Sequence, residues 1–306
     1  MVGHQGITET FTLKSLTDEE YLLPGNAACP GCAAVMAMRI GLKALGPRTA
    51  LIVPACCMSV AQGHYPKTPS KVPVFNTAFA ASAATASGIR AALEMKGITD
   101  VYVVCWAGDG GTADIGIQSL SGAAERGDDL IYICYDNEAY MNTGTQRSSS
   151  TPEGARTTTT ITGKAERKKD VPGIMMAHRI PYVATACASY PLDFANKLRR
   201  AVSIKGTRYI HLLSPCPPGW RYPSEKTVEV GRLAVETGAW ILYEWTGGRC
   251  RLTGPSSGLA DRSRRRPLEE YLRIQGRFSE ADPSKIEAMK KRIDEEWEMI
   301  LELCKG

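Results

Sequence analysis

The chain has 306 residues, of which 43% are hydrophobic, 23% charged and 7% aromatic. That mix excludes a disordered, collagenous or coiled-coil protein, and the length allows either two lobes or one large α/β unit. The formal net charge of +5 is mild and partly local, in Arg262, Arg264, Arg265 and Arg266, a run that reads as a solvated loop or a docking patch for an acidic partner, with no nucleic-acid motif beside it.

The polar arm at 1–24 is expected to wrap over another surface. It lacks the basic start and apolar run of a secretory signal, so a cytoplasmic location is expected. Residues 33–45 are rich in helix formers, and Gly46-Pro47 stops them. Residues 49–57 read as a short strand. An Ala-rich helix follows at 80–96, whose small side chains imply close packing; this helix and the arm are candidates for contact with a partner. The continuous apolar runs at 101–108 and 130–137 suit parallel strands buried on both faces, with a helix between them at 114–126. Residues 142–170 form a loop without apolar period. A helix, a strand at 181–186, a helix at 191–203 and a strand at 209–214 complete the alternation. The longest apolar stretches fall short of the roughly 20 residues that span a bilayer.

Alternating strands and helices predict an α/β fold, a doubly wound and mainly parallel sheet. The expected division is an arm at 1–24, an α/β domain at 25–215, and an extension at 216–306. The extension carries a loop at 253–267 and a closing amphipathic helix at 283–304.

Gly108-Asp109-Gly110-Gly111 follows one buried strand and precedes a helix. Ligands of open α/β sheets bind at the carboxyl ends of strands. Glycines there let backbone N–H groups approach a phosphate at a helix N-terminus. Asp109 would repel a phosphate alone, so the pair implies a divalent cation between them, usually Mg²⁺. The next buried strand ends at Asn137, and adjacent parallel strands would bring Asn137 and the Ala139 carbonyl beside Asp109.

Ten cysteines without an export signal point to a reducing compartment. Cys105 and Cys134, inside apolar strands, read as core residues; Cys187, Cys250 and Cys304 have no partner spacing and receive the same reading. Cys29-Pro-Gly-Cys32 is a C-x₂-C pair. With Cys57 and with Cys216, which is stiffened by flanking prolines, it is compatible with an iron–sulfur cluster, with zinc, or with buried, unpaired thiols.

Three motifs together carry a resemblance: PGNAACPGC at 24–32, GDGGTADIGIQSLSGAAER at 108–126, and YDNEAYMNTGTQRSSSTP at 135–152. They closely resemble the β subunit of 2-oxoacid:ferredoxin oxidoreductases, particularly of the pyruvate:ferredoxin (pyruvate synthase) type. Lesser echoes lie at 216–238 and 267–278, so the resemblance covers nearly the whole chain.

It implies a sheet of the thiamine diphosphate-binding type, with bound thiamine diphosphate, Mg²⁺ and one 4Fe-4S cluster. Asp109, Asn137 and the Ala139 carbonyl match the Mg²⁺ ligands. Cys29, Cys32, Cys57 and Cys216 match the cluster ligands, and Asn142 and Thr143 match residues beside the reacting ring, with Asn142 in a catalytic role. The implied activity is oxidative decarboxylation of a 2-oxoacid, pyruvate first, with coenzyme A, electrons passing to ferredoxin. Branched-chain oxoacids, 2-oxoglutarate and oxalate are alternative substrates, and a non-oxidative thiamine decarboxylase or synthase is the alternative activity.

Two departures stand out: Cys56 occupies a position where the family often has Gly, and Ala80-Ala81 follow Phe79 where many members carry an acid. No C-x₂-C-x₂-C-x₃-C-P run marks a ferredoxin-like relay. Partner subunits are therefore expected to supply that relay, the pyrimidine-side domain of the thiamine site, or both.

Overall fold

The two continuous apolar runs lie side by side at the middle of one sheet. The structure, a computed structural model, describes residues 10–12 and 14–305. Among these, the strands are β1 (Thr49–Pro54), β2 (Val74–Thr77), β3 (Tyr102–Gly108), β4 (Leu130–Asp136), β5 (Tyr182–Cys187), β6 (Thr207–Leu213), β7 (Tyr243–Thr246) and β8 (Arg249–Leu252). They form a single sheet in the order 2-1-3-4-6-5-7-8. The first six are parallel, and β7 and β8 add antiparallel at one edge.

The helices are α1 (Ala33–Leu45), α2 (Cys57–Ala61), α3 (Ser82–Met95), α4 (Ile117–Arg126), α5 (Val171–Ala177), α6 (Pro191–Val202), α7 (Pro217–Trp220), α8 (Thr227–Glu236), α9 (Ser256–Leu259), α10 (Leu268–Arg273) and α11 (Pro283–Leu303). Successive strand residues point to opposite faces, and β3 shows how that sorts the core. Val104 and Trp106 join Leu42 of α1 and Phe194 of α6 on one face. Val103, Cys105 and Ala107 join Ala83 and Ala86 of α3 and Leu120 of α4 on the other. A further apolar cluster centres on Trp220, Leu233, Tyr271 and Trp297, built largely from the C-terminal extension.

The doubly wound, mainly parallel sheet expected from the alternation is present. Residues 137–170 form an irregular loop, and α11 closes the chain within one residue of its expected end. Three short strands were not foreseen: β2, half-exposed at one edge, and the β7–β8 hairpin at the other. The extension therefore continues the sheet. The strand expected at 49–57 ends at Pro54, because Cys56 turns the chain into α2.

One cysteine reading is corrected. Cys250 and Cys304, read as unpaired core residues, are joined as a disulfide across 54 residues, because β8 lies against the end of α11. Cys105, Cys134 and Cys187 are fully buried, as expected.

Each arginine of the basic run meets a carboxylate of this chain. Arg262 and Arg265 pair with Asp294, Arg264 with Asp261, and Arg266 with Glu236 and Glu270. Two points of the described part of the arm pack on this chain, while most of its other described residues are exposed. Tyr21 and Leu22 are buried, and Arg199 lies 4.7 Å over the Phe11 ring. Residues 1–9 of the arm lie outside the described residues. Among the described residues, no helix is long and apolar enough to cross a membrane.

Candidate active site

Strand order reverses at β1, with β2 on one side and β3 on the other. This is the topological switch point where open α/β sheets bind ligands. The registers bring the strand ends level: Gly108 pairs with Tyr135, and Asp136 with Leu213. The segments after β1, β3, β4 and β6 thus leave at one rim, carrying Cys56-Cys57, Asp109, Asn137 and Cys216. A cavity of about 360 Å³ opens there, lined by Ala55–Cys57, Gly108–Gly111, Asn137 and Ala139–Thr143. All eight residues that the sequence offered as cofactor-binding candidates line this cavity. Asn142 and Thr143 lie exposed at its mouth.

Asp109, Asn137 and Ala139 come together. One end of the Asn137 side-chain amide lies 2.9 Å from both Asp109 Oδ1 and the Ala139 carbonyl oxygen. With the amide oxygen at that end, it faces an oxygen from each of two chain segments, the Asp109 carboxylate after β3 and the Ala139 carbonyl in its own turn after β4, and the three oxygens make the donor set that a hard divalent cation takes. The charge balance agrees. Burial pushes the Asp109 carboxyl well above the usual carboxylate range, and Asp136 adds to the rise. An ionised Asp109 therefore calls for a cation beside it. Its other oxygen, Oδ2, accepts a hydrogen bond from Ser148 at 2.5 Å. Asp136 is also fully buried, yet Lys168 and His211, each 2.7 Å from its Oδ2, hold it well below the carboxylate range.

Gly108–Gly111 pass into a π-helical turn at Gly110–Ile115, a departure from the α-helix often found at functional sites. A Cβ on Gly110 would come 2.3 Å from the Tyr140 ring. That ring is fixed in turn, because Tyr140 donates its hydroxyl to Asp114 Oδ2 at 2.7 Å. The glycine there is what lets the Tyr140 ring lie against the backbone of this cavity wall.

The four singled-out thiols also gather at this rim. Burial pushes Cys57 up to about 12, with Cys216, Cys56 and Cys32 adding to the rise. Burial pushes Cys216 up to about 12 as well, with Cys32 and Cys29 adding. Thiols close enough to oppose one another's ionisation need a positive centre to become thiolates, and bound metal supplies that. Among the described residues, no three His, Cys, Asp or Glu side chains converge tightly enough to hold a single ion. The oxygen set uses an amide and a carbonyl, and an iron–sulfur cluster spaces its thiolates more widely than a single ion does. Cys56 has different neighbours from Cys57: its thiol meets the Tyr135 hydroxyl and the backbone of Gly108.

Several polar residues around the site were not singled out by the sequence. Ser148 and Tyr140 lie within a quoted motif, but nothing local marks their partners. Glu138 and Arg277, both buried, and the half-buried Lys168 form an ion network beside Asn137.

A family model described as thiamine pyrophosphate enzyme, C-terminal TPP binding domain, matches residues 55–212. The chain is 51% identical over 285 residues to pyruvate synthase subunit PorB of Methanothermobacter thermautotrophicus, covering 92% of this chain and 96% of that one. It is 47% identical over 300 residues to ketoisovalerate oxidoreductase subunit VorB of Pyrococcus abyssi, covering 95% of each. The chain belongs to the 2-oxoacid:ferredoxin oxidoreductase β-subunit family.

A solved 2-oxoglutarate:ferredoxin oxidoreductase from Magnetococcus marinus aligns over 94% of this chain and 97% of its own, with a TM-score of 0.58 and 21% identity. It supports the fold of this β subunit alone. The thiamine pyrophosphate match includes Asp109, Asn137, Ala139 and Cys57, whereas Cys29, Cys32 and Cys216 fall outside it. Three of the four gathered thiols thus belong to what the β subunit adds to a general thiamine-binding domain.

Proposed function

We propose that this β subunit binds thiamine diphosphate through Mg²⁺ at Asp109, Asn137 and the Ala139 carbonyl, and one 4Fe-4S cluster at Cys29, Cys32, Cys57 and Cys216. The observation that carries the proposal is that Asp109, Asn137, Ala139 and Cys57 line one cavity, with Cys32 and Cys216 beside Cys57. The complete enzyme decarboxylates pyruvate oxidatively with coenzyme A and passes the electrons to ferredoxin in the cytoplasm. Thiamine diphosphate, when bound, supplies the nucleophilic carbon and electron sink for decarboxylation.

The protein's own part is placement. Asp109 provides the anionic anchor for the cation, and Gly110 and Gly111, with the Tyr140 and Phe79 rings packed where side chains would stand, offer the pyrophosphate their backbone N–H groups. Asn142, at the cavity mouth, donates an amide N–H to the substrate carboxylate or to the developing oxyanion. Cys57 lines the same cavity, which puts a cluster ligand next to the reacting centre. Partner subunits supply the pyrimidine-side domain and the ferredoxin-like relay; the relatives are themselves named as subunits.

A branched-chain 2-oxoacid is the second reading, and one comparison favours it. Among proteins of Pyrococcus furiosus, this chain is 47% identical to ketoisovalerate oxidoreductase subunit VorB and 42% to pyruvate synthase subunit PorB. The test uses the assembled complex, purified without oxygen. Coenzyme A-dependent ferredoxin reduction is measured with pyruvate, 2-oxoisovalerate, 2-oxoglutarate and oxalate, alongside bound thiamine and iron. Highest turnover on pyruvate supports the first reading, and on 2-oxoisovalerate the second. Decarboxylation without ferredoxin reduction, in iron-free protein, would exclude both.

A further inference from the structure

Glu138 stands between Asn137 and Ala139 with φ +66°, a left-handed conformation that a glutamate seldom adopts. Its backbone N–H donates to Asp136 Oδ1 at 2.9 Å, and its carbonyl accepts from Thr151 Oγ1 at 2.7 Å. Its carboxylate accepts from Lys168 Nζ at 2.9 Å and from Arg277 Nη2 at 2.6 Å. The Glu138 and Arg277 side chains are only 6% and 3% exposed. Arg277 also lies 3.8 Å over the Trp220 ring. Trp220 in turn donates its indole N–H to the Asn137 carbonyl at 2.7 Å.

These contacts all converge on one turn. A left-handed residue outside glycine costs on the order of 1–3 kcal/mol and persists only where its surroundings over-determine it. Rotation at Glu138 would swing the Asn137 amide and the Ala139 carbonyl away from Asp109. Two of the contacts come from the C-terminal extension, far away in sequence. Trp220 ends α7, which begins directly after Cys216, and the Arg277 charge reaches the Cys216 thiol.

We propose that Arg277 and Trp220 are positioning residues that lock the Asn137–Ala139 turn in its ligand-presenting conformation and tie it to the Cys216 segment. The inference rests on the reading of Asn137 and Ala139 as cation ligands. It gives the Arg-Phe at the end of the 267–278 motif a task at the site. It also explains why the extension is built onto the thiamine-binding domain: the extension braces the cation turn from beneath.

The test is made in the assembled complex, by equilibrium dialysis of thiamine diphosphate at saturating Mg²⁺, with iron content and melting temperature measured in parallel. Arg277→Met should weaken thiamine binding roughly 10- to 100-fold, the usual effect of removing a partner that orients a metal ligand. Arg277→Met and Glu138→Gln should combine less than additively, since both break the Glu138–Arg277 ion pair, while Glu138→Gln also weakens the Lys168 contact. Trp220→Phe keeps an aromatic, if smaller, ring and removes the indole N–H, and should weaken binding about three- to tenfold with iron content unchanged.

Trp220→Phe decides the matter by itself if Arg277→Met fails to assemble. Binding within about twofold of the unaltered complex in the variants that assemble would overturn the proposal, because that is the scatter of non-interacting sites. Weaker binding that only tracks a fall in iron content and melting temperature would overturn it too. Asp109→Ala separates the two levels: if that variant retains thiamine, the cation-site reading itself is wrong.

Discussion

Ser148 donates its hydroxyl to Asp109 Oδ2 at 2.5 Å, while Asp109 Oδ1 faces Asn137 and the Ala139 carbonyl. The irregular loop thus holds one carboxylate oxygen and leaves the other toward the Asn137 amide, where the proposed cation would sit. A hydrogen bond to a charged group is worth about 1.5–3 kcal/mol. Ser148→Ala should therefore weaken Mg²⁺–thiamine diphosphate binding roughly 10- to 100-fold, measured by dialysis on the complex, with iron content retained. Unchanged affinity would mean that Asp109 orients itself without the loop.

Gly110 offers a steric test of the same wall. Its missing side chain is occupied by the Tyr140 ring, itself anchored to Asp114. Gly110→Ala overpacks this contact, which costs about 1–3 kcal/mol and pushes Tyr140 toward the cavity. The expected outcome is a lowered melting temperature together with lost thiamine retention. Gly110→Ala with Tyr140→Ala should recover the melting temperature in part, because the clash has gone. A single variant that binds thiamine normally would show that the loop has room the structure does not give it.

Legibility in the sequence followed physical locality. β3 and β4 were readable because strands covered on both faces need continuous apolar runs. Asp109 and Asn137 were readable as candidate site residues because they stand at the ends of those runs. The β7–β8 hairpin was missed although Gly247-Gly248, both at positive φ, is a strong two-residue turn signal. The strands beside it, Tyr-Glu-Trp-Thr and Arg-Cys-Arg-Leu, are short and half polar.

The four thiols were a different case: spacing alone left zinc and unpaired cysteines open, and the family resemblance assembled the set. Ser148, Lys168 and Arg277 escaped because an ion pair such as Glu138–Arg277 spans 139 residues and leaves no periodic trace. The Cys250–Cys304 pairing escaped for the same reason.

Cys56 and Cys57 separate the two donor sets at adjacent positions. Cys57 has Cys216 and Cys32 as neighbours, whereas Cys56 caps α2 and meets Tyr135. Cys57→Ala should lose the cluster or leave a three-iron form, seen as reduced iron content and a changed electron paramagnetic resonance signal. Cys56→Gly, the residue that the resembling family often carries, should keep the full iron content. Iron lost in Cys56→Gly but kept in Cys57→Ala would reverse the assignment.

The loop over the site carries its own titrating group. Lys164 is almost fully buried, and its ammonium donates to the carbonyls of Ser149, Thr151 and Arg167 at 3.1, 2.7 and 3.2 Å. Burial lowers its pKa from 10.5 to about 8. Below about pH 8 the folded and unfolded states both hold the proton, and Lys164 gives no pH slope. Between about 8 and 10.5 the unfolded chain holds a proton that the folded chain has released. The unfolded state then binds more protons, so the contribution of Lys164 to stability rises with pH across that window. Lys164→Met removes the titration and leaves the three carbonyls without their donor. The melting temperature of the unaltered chain, measured relative to Lys164→Met in the complex, should be flat from pH 6 to 8 and climb from 8 to 10. Parallel curves over the whole range would show that Lys164 titrates as an ordinary solvated lysine, and that the loop over Asp109 is held by Ser148 and Thr151 without it.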